Sequence, residues 1–312
     1  MPSTEVVTVG NIVADLIAPS TKRIPKWGQL IEAPSISLTV GGNAAIFASC
    51  LARLGVRASL LGGVGNDILG SFLLENLKKI GVDTSRVKID PGANTSVTLA
   101  ISNPKGERLF IHDYGANAKF GKGDVDARFI ARHKLLHLCA YNLVPMLVGE
   151  PTLEIMRSAK NKGLTTTFDV SWDPSGRWRV DGILRYTDLF LPNEEEARHI
   201  TGASTPIAAA SKLVEDGPGT VVIKLGPRGC LVRTSGGEEF RSPGFKVPVL
   251  DTTGAGDAFN SGFVYGLLKD WDLRETARFA NAVAALTVTK PGGTTGAPTL
   301  GEVTRFLEER LQ

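Results

Sequence analysis

Short β-branched runs alternate with stretches of helical apolar spacing along most of this chain. Residues 5–9, 57–61, 135–139, 165–169, 189–191 and 221–224 read as strands. Residues 43–54, 69–80, 151–162, 194–200 and 208–215 read as helices, the first two closed by Gly55 and Gly81. Strand–helix alternation of this kind predicts an α/β fold in which a central, mostly parallel sheet is flanked by helices. Two segments depart from the rhythm. Residues 95–102 alternate polar and apolar, turn at Asn103-Pro-Lys-Gly106 and resume over 108–112, which predicts an antiparallel hairpin. Residues 31–40 also read as strand, after a loop holding Pro19, Pro25 and Gly28. Together these predict a small β-sheet lid, from about 15–40 and 94–115. No repeat, low-complexity tract or linker divides the chain, so 1–312 is read as one domain.

A chain of 312 residues, 42% of them hydrophobic, fills a core of that size. Lys and Arg total 35 against 32 Asp and Glu, a formal charge of +3 with no block of like charges, which argues against a nucleic-acid partner. Apolar runs such as 97–101 are too short to span a bilayer, and the first residues lack a basic segment followed by an apolar one, so no membrane association and a cytoplasmic location are expected. Cys50, Cys139 and Cys230 are odd in number and widely spaced, which suits small core residues rather than a disulfide framework or a zinc site. None of the four histidines, His112 and His137 among them, is assigned to metal. Trp27, Trp172 and Trp178 read as packing residues or as rings that stack on a ligand.

The segment Asp251-Thr-Thr-Gly-Ala-Gly-Asp257 runs directly into helical spacing over 258–268. A helix N-terminus presents unpaired N–H groups and partial positive charge, and Gly254, Ala255 and Gly256 let that backbone approach an anion. Asp257 then lies beside the anion. It either complements the helix dipole or takes a proton from, and orients, a reacting hydroxyl. Two other phosphate motifs fail: Phe259 stands where a dinucleotide fingerprint needs glycine, and Gly121-Lys122-Gly123 lacks the Ser or Thr of a P-loop. Further polar and glycine-rich points fall near carboxyl ends of strands, where ligands of parallel sheets bind. They are Asp15 after Val9-Gly10, Gly41-Gly42-Asn43-Ala44-Ala45, Pro192-Asn193-Glu194-Glu195-Glu196, and Lys224-Leu225-Gly226-Pro227-Arg228-Gly229.

This ordered set resembles the ribokinase-like carbohydrate kinases of the PfkB family over nearly the whole chain. Gly41-Gly42-Asn43 is similar to the family's first signature, and 251–257 to its second. The resemblance implies a ribokinase-like fold and an ATP-dependent transfer of the γ-phosphoryl group to a primary hydroxyl of a small sugar. It implies Asp257 as the base and Gly254, Ala255 and Gly256 as the anion hole. Asp15, Gly41, Gly42 and Asn43 match sugar-binding positions, although Asp15 also reads as a loop turn and Asn43 as a helix cap. Asn193 and Glu196 reproduce an Asn-x-x-Glu motif that organises Mg²⁺ and phosphate, with Glu196 acting directly or through water; out of context they read as an acidic helix start. Lys224, Gly226, Gly229 and Asn281 resemble the nucleotide side, while Lys224 also reads as an exposed strand end. Asp251 and Thr253, with the backbone at Val288 and Gly292, resemble a monovalent-cation site that takes K⁺. Gly115-Ala-Asn-Ala118 resembles a ribokinase stretch, whereas Ala140-Tyr141-Asn142 stands where a sugar-contacting glutamate is expected. Ribose, fructose, another ketose, 2-keto-3-deoxygluconate and a nucleoside therefore stay open as substrates, as does a catalytically silent sugar sensor. An exposed lid edge would suit a homodimer.

Overall fold

The computed structural model describes residues 5–310 apart from 20, 22, 104–107 and 181. In chain order its strands are β1 (Val6–Val9), β2 (Val13–Ala18), β3 (Ser37–Gly41), β4 (Ala58–Leu61), β5 (Gly63–Gly65), β6 (Lys88–Asp90) and β7 (Val97–Ser102). They continue with β8 (Arg108–Asp113), β9 (Leu135–Leu138), β10 (Thr165–Phe168), β11 (Leu189–Phe190), β12 (Thr220–Lys224), β13 (Cys230–Thr234) and β14 (Glu239–Ser242).

Eight of these form one sheet in the order β14-β13-β12-β11-β10-β9-β1-β4. The six from β12 to β4 are parallel, and β13 and β14 extend the edge in antiparallel fashion. Strands covered on both faces need no polar side, which is why β1 reads Val-Val-Thr-Val and is wholly buried. Val6 joins the core under helices Asn43–Arg53 and Ala255–Leu268, while Val7 and Val9 join the opposite core under helix Glu150–Asn161. Each buried valine or leucine contributes about 1.5–3 kcal/mol to that packing.

A second sheet has the order β3-β2-β7-β8. The predicted hairpin is present as the antiparallel pair β7–β8; most of its expected turn lies outside the described residues. Two expectations need correction. The strand expected over 31–40 is only Ser37–Gly41, since Pro34 has no N–H for a ladder and most of 31–36 stays exposed. Asp15 is no loop residue: it sits inside β2, opposite Thr39 on one side and Thr98 on the other. The hairpin β13–β14 and the helix Leu273–Thr287 were not anticipated. That helix starts at Asp272, whose carboxylate accepts from the N–H groups of Arg274 and Glu275.

Candidate active site

The carboxyl ends of β1, β9, β10, β11 and β12 open onto a cleft of about 580 Å³ that also reaches the four-stranded sheet. Helix Ala255–Leu268 enters it at its N-terminus. Gly254 caps that helix at φ 74° and has no side chain to occupy the first-turn amides. A Cβ at Gly254 would stand 2.8 Å from the Gly293 Cα, so both φ and space require glycine. Asp257, one turn in and only 5% exposed, lies at the floor of the cleft. Its Oδ1 accepts a 3.0 Å hydrogen bond from Nδ2 of Asn43.

That bond corrects the reading of Asn43 as a cap. Gly42 is the N-cap of Asn43–Arg53, and the Asn43 amide instead aims across the cleft at Asp257. Its backbone N–H is held at 2.7 Å by Oδ1 of Asn11, a residue 2% exposed that the sequence reading missed. Asp15 lines the same wall. Gly41 lies beneath it, where a Cβ would approach the Asp15 Oδ2 to 2.0 Å, so any larger residue would displace the carboxylate.

On the opposite wall, Asn193 and Glu196 form a capping box at the start of Glu194–Thr201. Asn193 N–H donates to Glu196 Oε2 at 2.7 Å, and Glu196 N–H to Asn193 Oδ1 at 2.8 Å. The pair therefore begins a helix, and Glu196 is nonetheless 5% exposed and lines the cleft. Lys224 is not an exposed strand end. Its Nζ donates to Asp169 Oδ2 at 2.6 Å and to Asn260 Oδ1 at 3.3 Å, and Asn260 donates to the same Asp169 oxygen. Asp169 and Asn260 were also missed. An acidic residue directly after the apolar end of β10 was the available signal for Asp169.

Lys224, Gly226, Ala255 and Gly256 line this cleft and also a second, apolar cavity of about 520 Å³. The two lobes meet at the glycine turn. Gly229 and Asn281 line the second lobe, where Asn281 Nδ2 donates to Ser242 and Pro243 and ties the end of β14 to its helix. Asp251 sits behind the turn, its two oxygens accepting from Thr253 N–H at 2.8 Å and Gly292 N–H at 2.9 Å. The Val288 carbonyl accepts from the N–H groups of Leu250 and Asp251. Where a glutamate was expected, Asn142 donates to the carbonyl of Ser171, a residue at φ 59°, at 3.0 Å. Trp172 lines the cleft half-exposed, Trp178 is buried and stacked on His199, and Trp27 is fully exposed outside it.

Four carboxyls crowd this cleft around one ammonium. Burial, then the Asp169 charge, pushes Asp257 up to about 8 against the pull of Asn43 and Lys224. Burial and Asp169 push Glu196 up to about 7. Burial likewise raises Asp15 to about 7, although the Thr98 hydroxyl pulls it down. For Asp169 burial also pushes upward, but the Lys224 ammonium and the Asn260 amide outweigh it and hold the carboxyl below its usual range.

The three raised acids bind protons more tightly folded than unfolded. Each contributes stability that is complete below its unfolded value and lost as pH rises through about 7 to 8. Above pH 7 the buried His137 is neutral in both states and does not oppose this. The ligand-free protein should therefore lose thermal stability between pH 7 and 8.5, and Asp257→Asn should flatten that loss. Equal slopes for the two proteins in a thermal-shift series would rule out Asp257 as a buried proton site.

Residues 3–300 match the pfkB family carbohydrate kinase. The chain belongs to the PfkB carbohydrate kinases. An uncharacterized sugar kinase of Archaeoglobus fulgidus is 33% identical over 255 residues, covering 80% of this chain and 98% of that one. A 2-dehydro-3-deoxygluconokinase of Bacillus subtilis is 32% identical over 90% of both chains. A probable fructokinase of Arabidopsis thaliana is 30% identical over 97% of this chain and 92% of that one. In structure, Arabidopsis ribokinase complexed with ribose and ATP superposes with a TM-score of 0.86 at 25% identity, covering 98% of this kinase and 99% of that one. A putative ribokinase II of E. coli, in complex with ATP and Mg²⁺, gives the same score, identity and coverage. The fold is ribokinase-like, and the enzyme is a sugar kinase, a phosphotransferase acting on an alcohol group. No described helix is long and apolar enough to cross a membrane.

Proposed function

We propose that this kinase transfers the γ-phosphoryl group of ATP to a primary hydroxyl of a small sugar, with Asp257 receiving the hydroxyl proton. The observation that carries the proposal is the position of Asp257. It is buried, bonded to Asn43, and one turn from amides that face the junction of a polar lobe and an apolar lobe. The polar lobe suits a sugar, its hydroxyls meeting Asp15 and Asn43. The apolar lobe, walled by Phe245, Val247, Phe259 and Val288, suits a nucleobase. Phosphates then fall at the turn between them.

As the acceptor oxygen attacks phosphorus, its proton passes to the Asp257 carboxylate, which Asn43 holds in line. The N–H groups around Gly254–Gly256 face the charge that develops on the transferred group. The described residues contain no group of three or more acidic, His or Cys side chains able to cage a metal. That suits Mg²⁺, which keeps several waters and binds through one or two carboxylates and the nucleotide phosphates; Glu196 is the hard oxygen donor in place. Mg²⁺ bound there would neutralise phosphate charge. The oxygens matched to a K⁺ site already accept backbone hydrogen bonds at Asp251 and Val288, and no step is assigned to K⁺.

Proton-coupled ³¹P spectra of the product test the regiochemistry. A phosphate on a primary carbon couples to two protons and gives a triplet; a doublet from a secondary ester would overturn the proposal.

A further inference from the structure

Relatives of this kinase are named for neutral sugars and for sugar acids alike. The charge of the cleft separates the two classes. Its lining carries four carboxyls, Asp15, Asp169, Glu196 and Asp257, and among the described residues a single basic side chain, Lys224, beside His112. Lys224 is already committed, at 2.6 Å from Asp169, and lies where the two lobes meet rather than on the sugar wall. His112 is bonded through Nδ1 to Thr98 Oγ1 at 2.9 Å, and burial lowers its affinity for a proton, so it adds no charge at neutral pH. Arg177 and Arg179 border a different hollow, together with Asp173.

A buried carboxylate without a paired cation carries a large desolvation penalty. A nucleotide arrives with its own magnesium. A sugar acid arrives with no counter-ion and would place its charge beside Asp15 and Asp257, which are ionised above about pH 8. We infer that the cleft selects an uncharged polyol and rejects sugar acids, with Asp15 the residue that supplies the discrimination. This rests on the sugar-kinase reading and narrows it: the ionised Asp15 accepts hydrogen bonds from the hydroxyls of a neutral sugar and repels a carboxylate in the same place.

The test, run at pH 8.5 so that Asp15 and Asp257 are ionised, is ATP- and Mg²⁺-dependent ADP release with D-ribose, D-fructose, 2-dehydro-3-deoxygluconate and 5-dehydro-2-deoxygluconate, alongside calorimetric titration of each sugar. A neutral sugar should exceed both acids in kcat/KM by at least about 100-fold. An acid used as well as the best neutral sugar would overturn the inference and leave the kinase reading intact. If no sugar is turned over, the kinase reading fails and the titrations decide: binding of neutral sugars alone supports the selection, while tighter binding of an acid, or no binding at all, overturns it. In Asp15→Asn the ratio of acid to neutral use, or of their binding constants, should rise at least about tenfold. An unchanged ratio would show that the charge of Asp15 is not what discriminates.

Discussion

Asp257→Ala is expected to lower kcat by roughly 10² to 10⁴ while KM for ATP changes little, because the lost group acts in the transition state rather than in holding the nucleotide. Asp257 is 5% exposed, and among the described residues its carboxyl is hydrogen-bonded only by the Asn43 amide, so truncation leaves the nucleotide lobe untouched. A structural role alone would move stability without this split. Asp257→Asn keeps the shape and the size but cannot take a proton, and it should be as inactive as the alanine variant. Sugar-dependent ADP release from Asp257→Asn within a few-fold of the unsubstituted enzyme would remove the carboxylate from the chemistry.

Lys224→Met should cost about 3–5 kcal/mol of stability, read from the denaturant midpoint, because it strands Asp169 as an uncompensated buried charge. The side chains of Lys224 and Asp169 are 12% and 4% exposed and meet at 2.6 Å, so water cannot replace the ammonium. The double variant Lys224→Met with Asp169→Asn removes the pair together and should recover most of the loss. A double variant no more stable than Lys224→Met would show that the damage comes from packing and not from the orphaned charge. The same Lys224 charge also lowers the proton affinity of Asp257 and Glu196, while the Asp169 charge raises it more, so Lys224→Met should move the pH profile of turnover to higher pH and the double variant should bring it back to or below its original position.

Much of the large sheet was legible in single runs of residues. The wholly buried tetrapeptide Val6–Val9 and the buried run in Thr220–Lys224 advertise strands covered on both faces, and positive-φ glycines at Gly55 and Gly81 close helices within a residue or two of where their spacing fades. The start of the helix at Gly254 was legible for a similar reason, since a glycine pair before apolar spacing is a local signal. Strand β2 was hidden because Asp15 breaks its apolar run; only its pairing with Thr39 and Thr98 makes that carboxylate a strand residue.

The sequence by itself determined the parallel α/β class and most strands of its large sheet, and it put Asp257 at a glycine-led helix start, because periodicity and backbone freedom are properties of neighbouring residues. Only the tertiary structure decided that Lys224 and Asn260 converge on Asp169 from 55 and 91 residues away. It also decided that the Asn43 amide serves Asp257 across 214 residues rather than its own helix. The order of strands in the sheet sets which side chains share one buried space, and in that space burial and mutual charge, not the local letters, set which carboxyls keep their protons.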